Sequence, residues 1–214
     1  MWMEVTPSSE TCDPVDVAVS GELIAVSCFG ETVQIYSRSA AGTWNFRTEF
    51  DAGWIDFGYS LDLQDGSPPK LLVGALGFLG ATGTDGCAFY YEFGATPSSW
   101  NLRATLVPRD HRIDDGNRFA LDVEILEDGR LAVGAPTDFW GSGDGAPIAG
   151  AAYVFAPDAF GTWVETLRFT SSIRVNGERF GDVLAGAGDR LIVGSGDVTG
   201  GNVNGAFYAF DTDG

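Results

Sequence analysis

One short apolar pattern recurs four times along the chain, and it constrains the fold more than any other feature. Leu71-Leu72-Val73-Gly74-Ala75 returns as Leu131-Ala132-Val133-Gly134-Ala135-Pro136 and as Leu191-Ile192-Val193-Gly194-Ser195, with a degenerate copy at Leu23-Ile24-Ala25-Val26-Ser27-Cys28. The central valines, Val26, Val73, Val133 and Val193, stand 47, 60 and 60 residues apart. Upstream of each run lies a second element: Phe57-Gly58-Tyr59-Ser60-Leu61, Phe119-Ala120-Leu121-Asp122-Val123 and Phe180-Gly181-Asp182-Val183-Leu184. The first copy has Cys12-Asp13-Pro14-Val15-Asp16-Val17 there. Downstream comes a third element, Val33-Gln34-Ile35-Tyr36, Cys87-Ala88-Phe89-Tyr90, Ala151-Ala152-Tyr153-Val154-Phe155 and Gly205-Ala206-Phe207-Tyr208. A fourth opens on Trp44, Trp100 and Trp163. A unit of this length cannot bury its apolar face alone, so the copies must stack on one another.

Each copy reads as four short strands. The runs are rich in Val, Ile, Phe and Tyr, and Trp100-Leu102-Ala104-Leu106 alternates with period two. Turn pairs separate the first and second elements: Ser20-Gly21, Asp65-Gly66, Asp128-Gly129 and Gly188-Asp189. Four-stranded units repeated in this way predict an all-β fold, a β-propeller of four blades in a single domain spanning 1–214. The repeats fall at about 8–50, 51–106, 107–169 and 170–214 together with 1–7. The last copy lacks its Trp strand, and Met1-Trp2-Met3-Glu4-Val5 resembles the missing element. An N-terminal strand that completes the last blade would close the ring and remove its exposed edge.

Phe57-Gly58, Phe180-Gly181, Leu131 to Pro136 and Gly150-Ala151-Ala152-Tyr153-Val154-Phe155 resemble FG-GAP repeats, as found in the N-terminal propeller of integrin α subunits and in many bacterial secreted proteins. The resemblance covers essentially the whole chain. It implies an extracellular or cell-surface propeller used for binding or adhesion. Two departures stand out: integrin-like propellers have seven blades, and the family's calcium loop is not intact here. Its nearest traces are Asp62-Leu63-Gln64-Asp65-Gly66 and Glu127-Asp128-Gly129.

Charge narrows the function classes. With 30 acidic against 12 basic side chains, the 214-residue chain carries −18, which repels phosphate backbones and anionic lipid. Nucleic acid is therefore not an expected partner. No apolar run is long enough to span a bilayer as a helix, so membrane insertion is not expected, and Met1-Trp2-Met3-Glu4 lacks the features of a signal peptide.

In a blade of alternating strands, the loop between the second and third strands and the link from the fourth strand to the next blade emerge on one face. That face receives the long loops Leu76 to Gly86, Thr137 to Gly150 and Gly196 to Asn204, together with Asp51 to Asp56, Pro108 to Arg118 and Thr170 to Arg179. Binding residues concentrate in such loops. Trp54, Phe78, Phe139, Trp140 and His111 are the candidate ligand residues, for a protein or a carbohydrate. The alternative for the aromatic residues is that they fold back as loop cores or cover neighbouring blades, and for His111 that it is an exposed loop histidine. For Ca2+, Asp138 with Asp144, or Asp197 with Asn202 and Asn204, could supply oxygens; the alternative is solvated surface carboxylates.

Catalysis finds little to work with. His111 is the only histidine, no Cys-x-x-Cys pair occurs, and no pair of acids stands out among so many. The expectation is a binding module rather than an enzyme. A self-associating scaffold, and hence a homo-oligomer, is the alternative, with a glycan-acting hydrolase or lyase behind it. Cys12 and Cys28 flank the hairpin near Ser20-Gly21 and could pair as a disulfide, as suits an extracellular protein, or stay reduced. Cys87 occupies a position where other copies have Ala151 and Gly205 and reads as a small buried filler.

Overall fold

The computed structural model describes residues 12–29, 31–77, 86–94, 99–109, 118–138, 148–172, 176–196 and 205–212. Among these, fifteen strands and no helix form four antiparallel sheets, each a simple meander. The first holds β1 (Pro14–Ser20), β2 (Leu23–Cys28), β3 (Thr32–Arg38) and β4 (Trp44–Phe50). The second holds β5 (Phe57–Gln64), β6 (Lys70–Ala75), β7 (Cys87–Phe93) and β8 (Trp100–Leu106). In the third are β9 (Val123–Ile125), β10 (Leu131–Ala135), β11 (Ala151–Pro157) and β12 (Trp163–Phe169). The fourth has β13 (Phe180–Ala187), β14 (Arg190–Ser195) and β15 (Ala206–Asp211). This is a propeller-like arrangement, and its strands coincide with the repeated sequence elements. The segment expected to complete the fourth sheet and close the ring, 1–7, lies outside the described residues.

The repeat registers explain the sequence pattern. Val26, Val73, Val133 and Val193 pair with Val17, Leu61, Val123 and Leu184 on the first strand of each sheet. Upstream of that pair β5 and β13 bulge, between Phe57 and Ser60 and between Phe180 and Val183. The bulge residues Gly58 and Gly181 have φ of 88° and 93°, the left-handed region open to glycine. The third copy has Ala120 there, at φ 69°, and all three copies carry a second left-handed residue two positions earlier, Asp56, Arg118 and Arg179, at 58°, 49° and 55°. In the third copy the Ala120 N–H still donates to the Gly134 carbonyl oxygen at 2.8 Å, and the regular strand β9 begins at Val123.

Sheets one to four pack in sequence through three apolar layers. Phe57 sits in the layer between the first two sheets, Phe119 in the second layer, and Phe180 in the third. Each of these phenylalanines is buried, and Phe119 meets Tyr153 and Phe155 edge-on at 5.6 and 6.1 Å. The glycine of the apolar run is a contact residue. A Cβ on Gly134 would lie 2.2 Å from the Gly181 carbonyl oxygen, and one on Gly74 would lie 2.4 Å from that of Ala120. The repeated motif is thus the surface by which one sheet seats the backbone of the next.

Candidate functional site

The Phe-Gly bulge of β5 also shapes a cavity. It holds about 340 Å³ where the turn after β2 meets the link into β5, and is lined by Val15, Cys28, Phe29, Glu31, Asp56, Phe57, Gly58 and Tyr59. This is the face that topology assigns to the long loops. A disulfide between Cys12 and Cys28, with Cα atoms 4.9 Å apart, ties the start of β1 to the end of β2 at its wall. Of the two expected readings for these cysteines, the bridged one holds.

Exposed aromatic surface and negative charge meet at this cavity. Phe29 is 80% exposed and Tyr59 is also exposed, whereas Phe57 is buried behind them. Glu31 and Asp56 stand at left-handed φ of 70° and 58°, and the Asp56 backbone N–H donates to Glu31 Oε1 at 3.2 Å. No Lys or Arg is among the described lining residues. The arrangement is an apolar pocket with aromatic surface and two carboxylates, a setting suited to a cationic group on an apolar stem.

A second set of acids lies on the first strands of the sheets. The Leu61 N–H donates to Asp16 Oδ2 at 2.7 Å, that of Ile125 to Asp62 Oδ2 at 2.6 Å, and that of Leu184 to Asp122 Oδ2 at 2.6 Å. The other oxygen of each aspartate takes the next N–H of its own strand, from Val17, Leu63 and Val123. Glu124 accepts from the Gly186 N–H at 2.9 Å. Each first strand is a sheet edge with free N–H groups, and these side chains satisfy them from the preceding sheet. Burial raises the carboxyls of Asp62 and Asp122 above the usual range. Burial, reinforced by the charge of Asp62, pushes Glu124 up to about 7. The ladder holds sheets together and its acids are already occupied.

The expected site residues fare unequally. Trp54 is half-buried against the first apolar layer, with its ring 5.9 Å from Phe89 edge-on. Phe78, Phe139, Trp140 and His111 lie outside the described residues, as do Asp144, Asp197 and Asn202. Asp138 accepts from the Tyr153 hydroxyl and from Arg168 Nη2, each at 2.6 Å, so its charge is balanced within the third sheet. Among the described residues no group of three His, Cys, Asp or Glu side chains is placed to hold a metal ion. Cys87 is a free, buried thiol, and burial pushes it up to about 12. Phe29, Glu31 and Tyr59 were not singled out by sequence, because nothing in a three-residue turn or a strand start marks exposure. A bulge signal was present at Phe57-Gly58, and it lies at the cavity wall.

No family model matches the sequence, and no curated protein matches it either. Solved structures similar to it include the crystal structure of Saccharomyces cerevisiae Sqt1, at 9% identity and a TM-score of 0.49. The match covers 86% of this chain and 42% of the Sqt1 chain, so this chain spans less than half of that protein.

Proposed function

We propose that this chain is a non-enzymatic, extracellular or cell-surface binding module, a propeller of FG-GAP type that recognises a ligand through the face carrying the β2–β3 turn and the β4–β5 link. The cavity beside Phe29, Glu31, Asp56 and Tyr59 carries this reading. Its chemistry favours a protein ligand presenting an arginine or lysine, whose methylenes lie on the apolar surface while its charge meets Glu31 and Asp56. A cation over an aromatic ring contributes about 0.5–2 kcal/mol, and the −18 net charge speeds the approach of a basic partner. The Cys12–Cys28 disulfide supports the extracellular setting.

A display of peptides varied in basic, acidic and neutral side chains, run beside a glycan array, tests the reading. Arginine- or lysine-bearing peptides should be selected, and Phe29→Ala and Glu31→Gln should each weaken their binding about tenfold, as losing ~1.4 kcal/mol requires, with melting unchanged. Selection of acidic or neutral peptides, or binding indifferent to both substitutions, would sink it. Selection on the glycan array alone would move the reading to a carbohydrate.

A further inference from the structure

Each sheet in the stack has a face turned to the sheet before it and a face turned to the sheet after it. The preceding-side face is apolar in every copy. At the two central positions of the first strand it carries Leu61 and Leu63 in the second sheet and Val123 and Ile125 in the third, all buried in a layer between sheets. The same positions in the first sheet are Val17 and Val19, which are 62% and 67% exposed. Their side chains emerge on the side opposite Asp16, which reaches the second sheet.

The fourth sheet is bare on its other side. Ala152 and Val154 of β11, opposite Gly134 and Ala132, are buried against the fourth sheet. Their counterparts are Phe207 and Ala209, opposite Gly194 and Ile192. Phe207 is 79% exposed, and Val183, in the position of Asp122, is 60% exposed. A Cβ on Gly74 or Gly134 would strike a backbone carbonyl of the following sheet, but one on Gly194 would meet nothing nearer than Val183 of its own sheet. The seat for a following sheet is formed and nothing occupies it among the described residues.

We infer that the bare face of the fourth sheet, around Phe207, Val183 and Gly194, docks on the Val17–Val19 face of the first sheet of a second copy of this chain, head to tail. The three internal layers are the template, since each joins these two kinds of face, and each bare face is the complement of the other. Charge favours the same pairing. The first-strand positions that carry Asp62 in the second sheet, and Asp122 and Glu124 in the third, are occupied in the fourth by Val183 and Ala185. On a chain of −18, two copies can then meet there without opposing carboxylates at those positions. Such a contact is heterologous, so it either closes a ring of copies or propagates. It does not depend on the cavity of the first two sheets.

Sedimentation velocity over micromolar to hundreds of micromolar protein is the test. The wild type should pass from 22.7 kDa to at least twice 22.7 kDa as concentration rises. Val17→Asp and Phe207→Asp, both at exposed positions, should each stay monomeric with unchanged melting. An equimolar mixture of the two variants should recover the dimer, because each retains the face that the other has lost. A wild type that stays monomeric throughout, or variants that associate like the wild type, would overturn the inference. So would a mixture that fails to dimerise while the wild type does, and so would a monomer whose Phe207 ring is protected from hydroxyl-radical oxidation, which would mean that the chain covers this face itself.

Discussion

Glu124 makes the stability of this protein depend on pH in the direction opposite to that of a salt-bridged carboxylate. Its folded-state value of about 7 lies above the ordinary 4.5, mainly because the side chain is half-buried between the third and fourth sheets and then because Asp62 is close. Between these two values the folded chain holds a proton that the unfolded chain has released, so stability falls as pH rises from about 4.5 to about 7 and is level above it. A shift of this size corresponds to ~3 kcal/mol for a fully shielded group, and partial solvent access reduces it to about 1–2 kcal/mol. For a chain of this length that is a melting difference of about 2–8 °C. Glu124→Gln keeps an oxygen for the Gly186 N–H, held at 2.9 Å, but removes the charge. Thermal melts of both proteins at half-unit steps from pH 4.5 to 8.5 are the assay. The variant should be more stable than the wild type at pH 8 by about 1–2 kcal/mol and equal to it near pH 5. Taking the difference cancels the repulsion among the remaining acids, which both proteins share. If the difference were absent, or if the wild type gained on the variant as pH rises, the burial argument for Glu124 would be wrong.

Two further outcomes follow from the packing and from the cysteines. Phe119→Ala should cost about 3–5 kcal/mol in urea unfolding, since the ring is wholly buried between the second and third sheets; a loss below ~1 kcal/mol would mean that the layer collapses onto the gap. Reducing the Cys12–Cys28 bridge, which spans 16 residues, should lower stability by ~3 kcal/mol, read as a shift of the melt with and without reductant. In the same sample Cys87 should resist iodoacetamide until the protein unfolds, because burial holds its thiol at about 12; fast labelling of the native state would contradict that placement.

Much of the fold is legible in the sequence. The strands sit where the repeated elements place them. Cys12 and Cys28 face each other across the hairpin formed by β1 and β2, as their spacing about Ser20-Gly21 allowed. The site was far less legible. By sequence Trp54 is a candidate for recognition, yet it is half-buried on Phe89, whereas Phe29, in a short turn, is the exposed ring. Local composition does not say whether an aromatic side chain finds a neighbouring sheet to lie on. That depends on where the next sheet ends.

The sequence by itself determined the periodicity, and with it the strands and their meander order. These properties depend on neighbours within one copy, or on one copy resembling the next, and both are written along the chain. Only the tertiary structure decided what each side of a strand meets. Alternation puts Asp16 and Val17 on opposite faces, yet it does not tell which face has a partner. Stacking turns Asp16, Asp62 and Asp122 into acceptors for the edge of the following sheet, and it leaves Val17 and Phe207 bare at the two ends of the stack. An aspartate that holds two sheets together and an aspartate in solvent look alike in sequence, because the N–H groups that distinguish them belong to a strand some 45 to 63 residues away.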